Sequence, residues 1–336
     1  MFYKRNKAVI SLVCAVVTLL IAICSGCIKD DLPPLKQVGI YKSFSVNYLD
    51  VGQGDCIFIR LPDGKNLLMD TGVNDQYLEN SKFVINLLNR YSVNKIDYLI
   101  LTHPDLDHIG NAKEIISKFT IGRVYMPKIS NLLMEGFDNY KQVLNLVNEK
   151  QIEMVVSDYN CTIVGENYAL AFLSPIPIGL DGSSYGELEY SLYPTERQIN
   201  DLSPIIYFEC FNKRFVFTGD ASSTQESIVL ANYNSELYNT QFKTAGINVT
   251  LENVDYLKVS HHGADGATSK NFLSLLKPKN FIISVGKENF YGHPRSETLE
   301  RILEICPESN LFRTDEMGTI TVHKNKTNDV IVTTMK

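Results

Sequence analysis

The chain has 336 residues, of which 44% are hydrophobic and 21% charged. This composition is typical of a folded globular protein and excludes an intrinsically disordered chain, while the length allows one large domain or two ordinary ones. The formal net charge of −6 excludes a surface that holds polyanions through a general excess of positive charge.

The first 26 residues have the three parts of a secretory signal. A basic start precedes Ala8–Ile23, an apolar segment without a charge, and small residues follow it. Ser25-Gly26-Cys27 resembles a bacterial lipobox, which predicts Cys27 as the lipidated first residue of the mature chain. Because Cys24 stands where such motifs usually have Leu, an uncleaved signal anchor is the alternative. Either outcome predicts an extracytoplasmic protein attached to the bacterial cell membrane.

Residues 27–42 are predicted to form a tether between the anchor and a folded domain. Without residues 1–26 the chain loses three positive charges, so that 29 Lys and Arg face 38 Asp and Glu and the net charge is −9. A protein with this net negative charge has little general attraction for nucleic acid. An anionic substrate must therefore be met by local cations or by bound metal.

From Phe44 the predicted elements alternate between strands and helices. Short apolar runs separated by turns, with Asp63-Gly64 as a hairpin signal, predict a strand meander that ends at Asp70-Thr71-Gly72. Tyr98–Leu101 then predicts a buried strand, and a helix is predicted from about Asp107. The other elements predicted in this half are strands at Phe44–Leu49, Cys56–Ile59, Asn66–Met69 and Val124–Met126 and helices near 83–88, 115–119 and 143–147.

The second half repeats this alternation, and its strands again end in polar residues. Pro175–Asn200 is predicted as a surface loop and Asn232–Asn253 as an inserted loop, since both are polar and lack a strong period. The sequence gives no reason for a second domain boundary, and two such halves predict two sheets between helices, with a site along one edge. The predicted strands are Ile205–Cys210, Arg214–Phe217, Leu257–Val259, Phe281–Val285, Leu311–Phe312 and Ile320–Val322, with helices from about Ser222 and near Glu297–Ile305.

Four potential metal ligands lie where the Tyr98–Leu101 strand gives way to a helix. They are His103, Asp105, Asp107 and His108, and their spacing allows the side chains to diverge toward two metals. Imidazole nitrogen and carboxylate oxygen suit Zn, Mn or Fe. The alternative is a polar turn with Asp107 as the helix N-cap, but a cap leaves the other three residues without a role.

The remaining polar candidates also follow β-runs, where a sheet presents side chains to a cleft. Asp70 and Asp220 each end such a run, and so does the pair His261-His262. Five of the six histidines occupy these special positions, and His323 is expected to be an ordinary surface residue. The five histidines are His103, His108, His261, His262 and His293.

These residues resemble the metallo-β-lactamase superfamily and, more narrowly, the domain attached to DNA-uptake competence proteins of the ComEC type. The resemblance extends from about Ser43 to Val322. It implies an α/β protein with the αββα sandwich in a single domain, residues 43–336, holding one or two divalent ions, Zn or Mn. The motifs that carry it are Leu49–Asp55, Met69–Gly72, Thr102–Gly110, Phe217–Asp220, Leu257–Gly263 and Ser284–Pro294.

The resemblance also implies the roles of the ligand candidates. His103 and Asp105 would serve one metal, Asp107 and His108 the other, and Asp220 would bridge both. Asp105 stands where the superfamily usually has a second histidine, which hardens the first site and favours Mn or Fe over Zn.

Further residues complete this expected site. His262 or His261 would complete the metal shell, and Asn200 or Asp201 would substitute for a histidine that many relatives carry before Asp220. Asp70 would support the cluster through hydrogen bonds. His293 would be a last metal ligand or a donor to the substrate. Lys258 is expected to form a structural salt bridge.

The predicted function is metal-dependent hydrolysis. Metal ions lower the pKa of bound water and stabilise the added negative charge, and Asp107 would orient that water. A phosphodiester is the expected substrate, and the resemblance makes DNA the leading specific guess. The alternatives are hydrolysis of cell-wall phosphodiesters or of esters and lactones, and a catalytically degenerate binding module. The sequence indicates no protein partner.

Overall fold

The computed structural model describes residues 44–74, 80–129, 136–175, 199–324 and 329–335. The predicted signal and tether, the lipidation candidate Cys27 and most of the loop Pro175–Asn200 lie outside these residues. The described residues belong to one compact unit. None of the helices in this part of the chain is long and apolar enough to cross a membrane.

Strands in the described ranges form one eight-stranded and one seven-stranded sheet. In chain order they are β1 Ser45–Tyr48, β2 Ile57–Arg60, β3 Asn66–Met69, β4 Lys95–Ile100, β5 Thr120–Met126, β6 Glu153–Val156, β7 Thr162–Gly165, β8 Tyr168–Phe172, β9 Ile206–Cys210, β10 Lys213–Phe217, β11 Tyr256–Lys258, β12 Asn280–Ile283, β13 Asn310–Arg313, β14 Thr319–Lys324 and β15 Val330–Met335. The helices are α1 Asn80–Arg90, α2 Leu106–Ile109, α3 Ala112–Lys118, α4 Asp138–Glu149, α5 Ser223–Asn234, α6 Leu237–Gln241, α7 Lys270–Leu276, α8 Ser296–Ile305 and α9 Thr314–Met317.

Both sheets are mixed, and their parallel parts determine where the site forms. The first sheet has the order β15-β14-β1-β2-β3-β4-β5-β6 and is parallel from β3 to β6. The second has the order β13-β12-β11-β10-β9-β8-β7 and is parallel from β10 to β13. Because parallel strands end at the same edge of a sheet, the residues that follow β3, β4, β10, β11 and β12 can meet there.

Alternating apolar residues explain why the two sheets stack. Ile57 and Ile59 of β2 belong to the core between the sheets, whereas Phe58 belongs to the core under the outer helices. In β10, Phe217 lies between the sheets and Val216 faces the helices of the other side. Strands that are apolar on both faces need cover on both, and the result is a helix–sheet–sheet–helix sandwich. The predicted fold class is thus confirmed.

Two predicted elements differ from the observed ones. The helix predicted from about Asp107 is divided into α2 and α3, which are separated at Gly110 and Asn111. The prediction of an inserted loop over Asn232–Asn253 is wrong for its first part. That segment contains the end of α5 and the whole of α6, whose Tyr238 is buried and donates a hydrogen bond to the carbonyl of Leu173.

Candidate metal centre

His108 lies at the middle of the polar cluster and is fully buried. Its Nδ1 is 2.8 Å from Asp70 Oδ2, and its Nε2 is 3.3 Å from Asp220 Oδ1. Asp70 is itself held by the backbone N–H and the hydroxyl of Thr102, at 2.8 and 2.7 Å. An ionised carboxylate only accepts hydrogen bonds, so Nδ1 of His108 carries the proton and Nε2 presents its lone pair. Asp70 therefore lies where the supporting role predicted for it requires.

Two more imidazoles are oriented in the same way. His262 Nδ1 donates to the carbonyl oxygen of Ser284 at 2.8 Å, because a carbonyl only accepts. The hydroxyl of Thr102 already donates to Asp70, so it accepts from His103 Nδ1 at 3.1 Å, and Ser203 Oγ lies 3.1 Å from the same nitrogen. Both histidines thus keep Nε2 for another partner.

The buried Nε2 atoms of all three histidines have no hydrogen-bond partner in the described part of the chain. Leaving such atoms unpaired is costly unless something else binds them. Three groups of side chains are close enough to hold an ion: His103 with His108 and Asp220, Asp107 with His108 and His262, and Asp55 with Asp70 and His108. In the third group Asp55 already pairs with Lys258 and Asp70 with Thr102, so the first two are the better candidates. The residues present therefore fit one or two divalent ions with nitrogen and oxygen ligands.

The charges of the cluster also favour a cation. Burial opposes ionisation of Asp107 and Asp220, but the neighbouring histidines hold the pKa of both carboxyl groups below the ordinary value. Burial likewise opposes a charge on His108, but Asp220, Asp70 and Asp107 raise its pKa above 6.5. Since these carboxylates attract a proton onto His108, a metal ion can replace that proton at Nε2.

His262 is nearer to Asp107 than His261 is. His262 Nε2 lies 3.2 Å from Asp107 Oδ2 and 3.6 Å from Asp220 Oδ2, and the residue is buried. His261 Nε2 is 3.6 Å from Asp220 Oδ2, with a quarter of its side chain exposed, and its Nδ1 faces the amide of Asn200 at 3.4 Å. Between the two histidines that the sequence left open, His262 is the better candidate ligand.

Other predicted residues lie at the margin of the cluster. Asp105 Oδ2 is 3.5 Å from His103 Nε2, and its side chain is more than a third exposed. Asn200 is buried beside His261, while Asp201 accepts a hydrogen bond from the backbone N–H of Ser222. Asp105 is the N-cap of α2 without a side-chain capping bond, so helix capping does not explain the cluster.

The backbone is strained where it presents three of these side chains. Asp70, His261 and His262 have φ values of 56°, 47° and 53°, in the left-handed region that non-glycine residues rarely adopt. Each such residue costs on the order of 1 to 3 kcal/mol and is retained where the surrounding structure enforces it. The strain thus coincides with the candidate ligands.

A buried ion pair, which the sequence did not reveal as part of the site, lies beneath the cluster. Lys258 Nζ is 2.6 Å from Asp55 Oδ2 and donates to the carbonyls of Gly219 and Val259 at 3.2 Å. The salt bridge expected of Lys258 is confirmed. It connects the segments that carry Asp220 and His262 to the loop after β1.

Gly54 supports Asp107 through close backbone contact. Its φ is +134°, and a Cβ added there would lie 2.2 Å from the carbonyl oxygen of Asp107. We expect Gly54→Ala to displace Asp107 and to lower the rate of phosphodiester hydrolysis by about 100-fold. A small displacement of a catalytic group is enough to slow a reaction to this extent. Gly64→Ala is the control, since Gly64 also has positive φ but open space around it. Equal steady-state rates for the two variants would contradict this role.

His293 lies next to His261, with ring centroids 5.5 Å apart. Burial, followed by His261, His262 and Arg295, lowers the pKa of His293 to about 4. The unfolded chain therefore binds this proton between pH 6.5 and 4 and the folded protein does not, so stability falls as pH falls through this window. Because the ring is only partly buried and solvent screens its interactions, we expect a contribution of about 1 kcal/mol in the metal-free protein.

Urea unfolding with a chelator at pH 6.5 and pH 4.5 measures this effect. His293→Gln should lose less stability than wild type on acidification, and His323→Gln is the matched control far along the chain. An unchanged pH dependence in His293→Gln would contradict the low pKa.

A cleft of about 310 Å³ opens beside the cluster. Asp220 and His261 form one side, so a substrate in the cleft lies directly against the candidate ligands. The rest of the lining is small or polar and consists of Asn200, Ser222, Ser223, Ala264, Gly266 and Ala267.

Comparison with known proteins relates this arrangement to one family. The sequence matches the model of the metallo-beta-lactamase superfamily over residues 49–287. ComE operon protein 3 of Bacillus subtilis is 27% identical over 288 residues, which cover 82% of this chain and 32% of that protein. Competence protein ComA of Neisseria gonorrhoeae is 23% identical, with coverage of 82% and 32%. The chain spans about a third of the length of these relatives.

Solved structures give more distant matches. The metallo-beta-lactamase fold protein YhfI from Bacillus subtilis has a TM-score of 0.44 at 11% identity, covering 86% of this chain and all of that one. A diphosphatase from the PhnP family has a TM-score of 0.43 at 14% identity, with coverage of 84% and 98%. At this similarity the structures give no information about the substrate.

Proposed function

The chain belongs to the metallo-β-lactamase superfamily, and we propose that it is a metal-dependent hydrolase of phosphodiesters, with DNA as the leading substrate. One observation supports this most strongly. Three buried imidazoles have Nε2 atoms without a hydrogen-bond partner among the described residues, and those of His108 and His262 lie 3.3 Å from Asp220 and 3.2 Å from Asp107. A structural histidine cluster would use those nitrogens in hydrogen bonds.

The residues of the cluster would divide the work between holding ions and orienting reactants. His108 has a single lone pair to offer, at Nε2, so it would hold an ion either with His103 and Asp220 or with Asp107 and His262. A bound divalent ion supplies a Lewis acid that lowers the pKa of water and neutralises negative charge on a phosphoryl group.

Side chains of the protein would carry out the remaining functions, which are to orient the reactants and the ligands. Asp107, whose side chain is partly exposed and whose pKa is held low, would accept a hydrogen bond from the attacking water and orient it. The ring of His293 lies 5.5 Å from that of His261, and as a neutral imidazole it would donate a hydrogen bond to a substrate oxygen. Asp70 and Ser284 hold His108 and His262 in the tautomer that the site needs.

The preference for a phosphodiester rests on the relatives, and the net charge of the chain does not add to it. One relative is named for competence and another, from Haemophilus influenzae, for recombination, and these names favour DNA as the substrate. With a net charge of −6 the chain has no general affinity for a polyanion, so ions at the cluster would have to contact the phosphates.

A substrate panel tests the proposal. The protein reconstituted with Mn or Zn should hydrolyse bis-p-nitrophenyl phosphate and a single-stranded DNA oligonucleotide, and turnover of p-nitrophenyl acetate and of a chromogenic β-lactam should be far slower. Hydrolysis of the ester or the lactam without the phosphodiesters would assign another substrate class. Metal binding without turnover of any substrate would favour a binding module.

We also propose that the protein is an extracytoplasmic lipoprotein anchored through Cys27. The lipobox-like Ser25-Gly26-Cys27 and the preceding apolar segment support this. Labelled palmitate should enter the membrane-bound protein and be absent from Cys27→Ser. Equal labelling of both would contradict the anchor.

A further inference from the structure

An exposed aromatic pair lies at the tip of the loop that carries His293. The Phe290 side chain is fully exposed, with a relative accessibility of 105%, and Tyr291 is 59% exposed. Single exposed apolar residues are ordinary. Here two aromatic residues are adjacent and next to the candidate metal centre, so their exposure suggests a ligand.

Hydrogen bonds fix the shape of this loop. The Asn289 side chain donates to the carbonyls of Gly286 and His293 and accepts from the His293 backbone N–H, at 2.7 to 3.0 Å. Gly286 N–H donates to the Gln53 side chain at 3.1 Å. The aromatic rings are therefore carried on a preorganised turn, which lowers the entropic cost of binding.

A row of rings connects the pair to the metal cluster. The rings of Tyr291 and His293 are stacked, with centroids 5.8 Å apart and an angle of 14° between their planes. His293 meets His261 edge-on at 5.5 Å, and His261 Nε2 is 3.6 Å from Asp220 Oδ2. Two ring contacts, of 5.8 and 5.5 Å between centroids, thus connect Tyr291 to His261 at the margin of the cluster.

The loop also carries cations. Lys287 and Arg295 lie at its two ends and are both exposed, and Glu288, also exposed, follows Lys287. Two cations and one carboxylate leave the loop with a small excess of positive charge in a chain that has more acidic than basic residues. Cations that track a phosphate backbone next to aromatic rings are typical of sites for single-stranded nucleic acid.

From these observations we propose that Phe290 and Tyr291 form a stacking platform for unpaired nucleobases, which gives the enzyme a preference for single-stranded DNA. The inference rests on the proposed phosphodiesterase function and deepens it. Unpaired bases expose the faces that stack, whereas the faces of bases inside a duplex are already covered. Stacking tolerates any base sequence, so the platform would select strandedness rather than sequence.

Equilibrium binding to the full-length, metal-loaded protein tests the platform. The probes are a fluorescein-labelled single-stranded oligothymidylate with a phosphorothioate backbone, which resists cleavage, and an abasic strand of the same backbone and length. We expect the base-bearing strand to bind at least about tenfold more tightly, and Phe290→Ala and Tyr291→Ala each to weaken it by about tenfold. Binding of the abasic strand should not change.

Matched variants separate stacking from folding. Phe290→Tyr and Tyr291→Phe keep an aromatic ring and should bind like wild type. Leu303→Ala removes an equally exposed apolar side chain from the last turns of α8 and should have no effect. Unchanged affinity in both alanine variants would overturn the proposal.

The outcomes also distinguish the platform from the catalytic proposal. Base-dependent binding that is lost in the alanine variants, without cleavage of an unmodified oligonucleotide, would support the platform and contradict the hydrolase. If the wild type cleaves the oligonucleotide but binds base-bearing and abasic strands with equal affinity, the hydrolase would be supported and the platform contradicted. Duplex DNA or a sugar-bearing cell-wall polymer that binds as tightly as the single strand would overturn the assignment of unpaired bases.

Discussion

Replacing His108 with alanine is expected to lower phosphodiester turnover by at least about 1,000-fold and to reduce the metal content of the protein. His108 is a member of each candidate ion site, and its Nε2 lies 3.3 Å from Asp220 and 3.9 Å from Asp107. Whichever of these sites binds an ion, the variant removes one of its nitrogen ligands. Steady-state kinetics with bis-p-nitrophenyl phosphate and metal analysis measure the two effects.

His323→Ala is the control for this variant. His323 is partly buried on β14, with its Nδ1 near the carbonyl of Lys324, and it is not part of the candidate ion sites. It should keep wild-type turnover and metal content. A folded His108→Ala protein with wild-type activity would show that catalysis does not depend on the cluster.

The second large effect is on stability, and it concerns the ion pair of Lys258 and Asp55. Lys258→Met removes one partner of a pair whose side chains are 0% and 2% exposed. An unpaired buried charge costs about 3 to 5 kcal/mol, so we expect a loss of that size in the free energy of unfolding. Urea denaturation of the metal-free protein measures it.

Two further variants establish the reason for this loss. The double variant Asp55→Leu/Lys258→Met removes both charges and should lose less than the sum of the single variants. Lys279→Met breaks a pair of 3.0 Å with Asp255, but this lysine is 61% exposed, so the expected loss is below about 1 kcal/mol. Similar losses in the free energy of unfolding for Lys258→Met and Lys279→Met would contradict the explanation that burial makes the Lys258 pair important for stability.

Much of the fold, and the spatial grouping of most candidate ligands, could be predicted from the sequence because both depend on local patterns. Apolar runs that end in Asp70, Asp220 or His261 indicate strands whose last residues face a cleft. Parallel pairing then brings these ends together. The concentration of histidines at such positions is the sequence pattern that indicates the candidate ligands.

The supporting contacts could not be predicted, because they join residues far apart in the chain. Asp55 and Lys258 are separated by about two hundred positions, and the contact of Gly54 with Asp107 depends on how a loop of β1 packs against α2. A lysine between Leu257 and Val259 in an apolar run was the available signal, since a buried ammonium needs a partner. The sequence does not indicate that this partner is Asp55.

Tertiary contacts also explain the wrongly predicted elements. The break between α2 and α3 allows Gly110 to approach the backbone of Asn74, and the Asn111 amide donates to the carbonyls of Thr71 and Val73. α6 forms in a weakly periodic segment because Tyr238 and Phe242 are buried in the core. Such packing overrides local propensity.

Metal content, measured together with the rate of phosphodiester hydrolysis, is the most direct test of whether the protein is a metal-dependent hydrolase. The protein should contain one or two divalent ions per chain, lose them and its bis-p-nitrophenyl phosphate hydrolysis on treatment with a chelator, and regain both when Mn or Zn is added. A folded protein that binds no metal and hydrolyses no phosphodiester under these conditions would contradict the account.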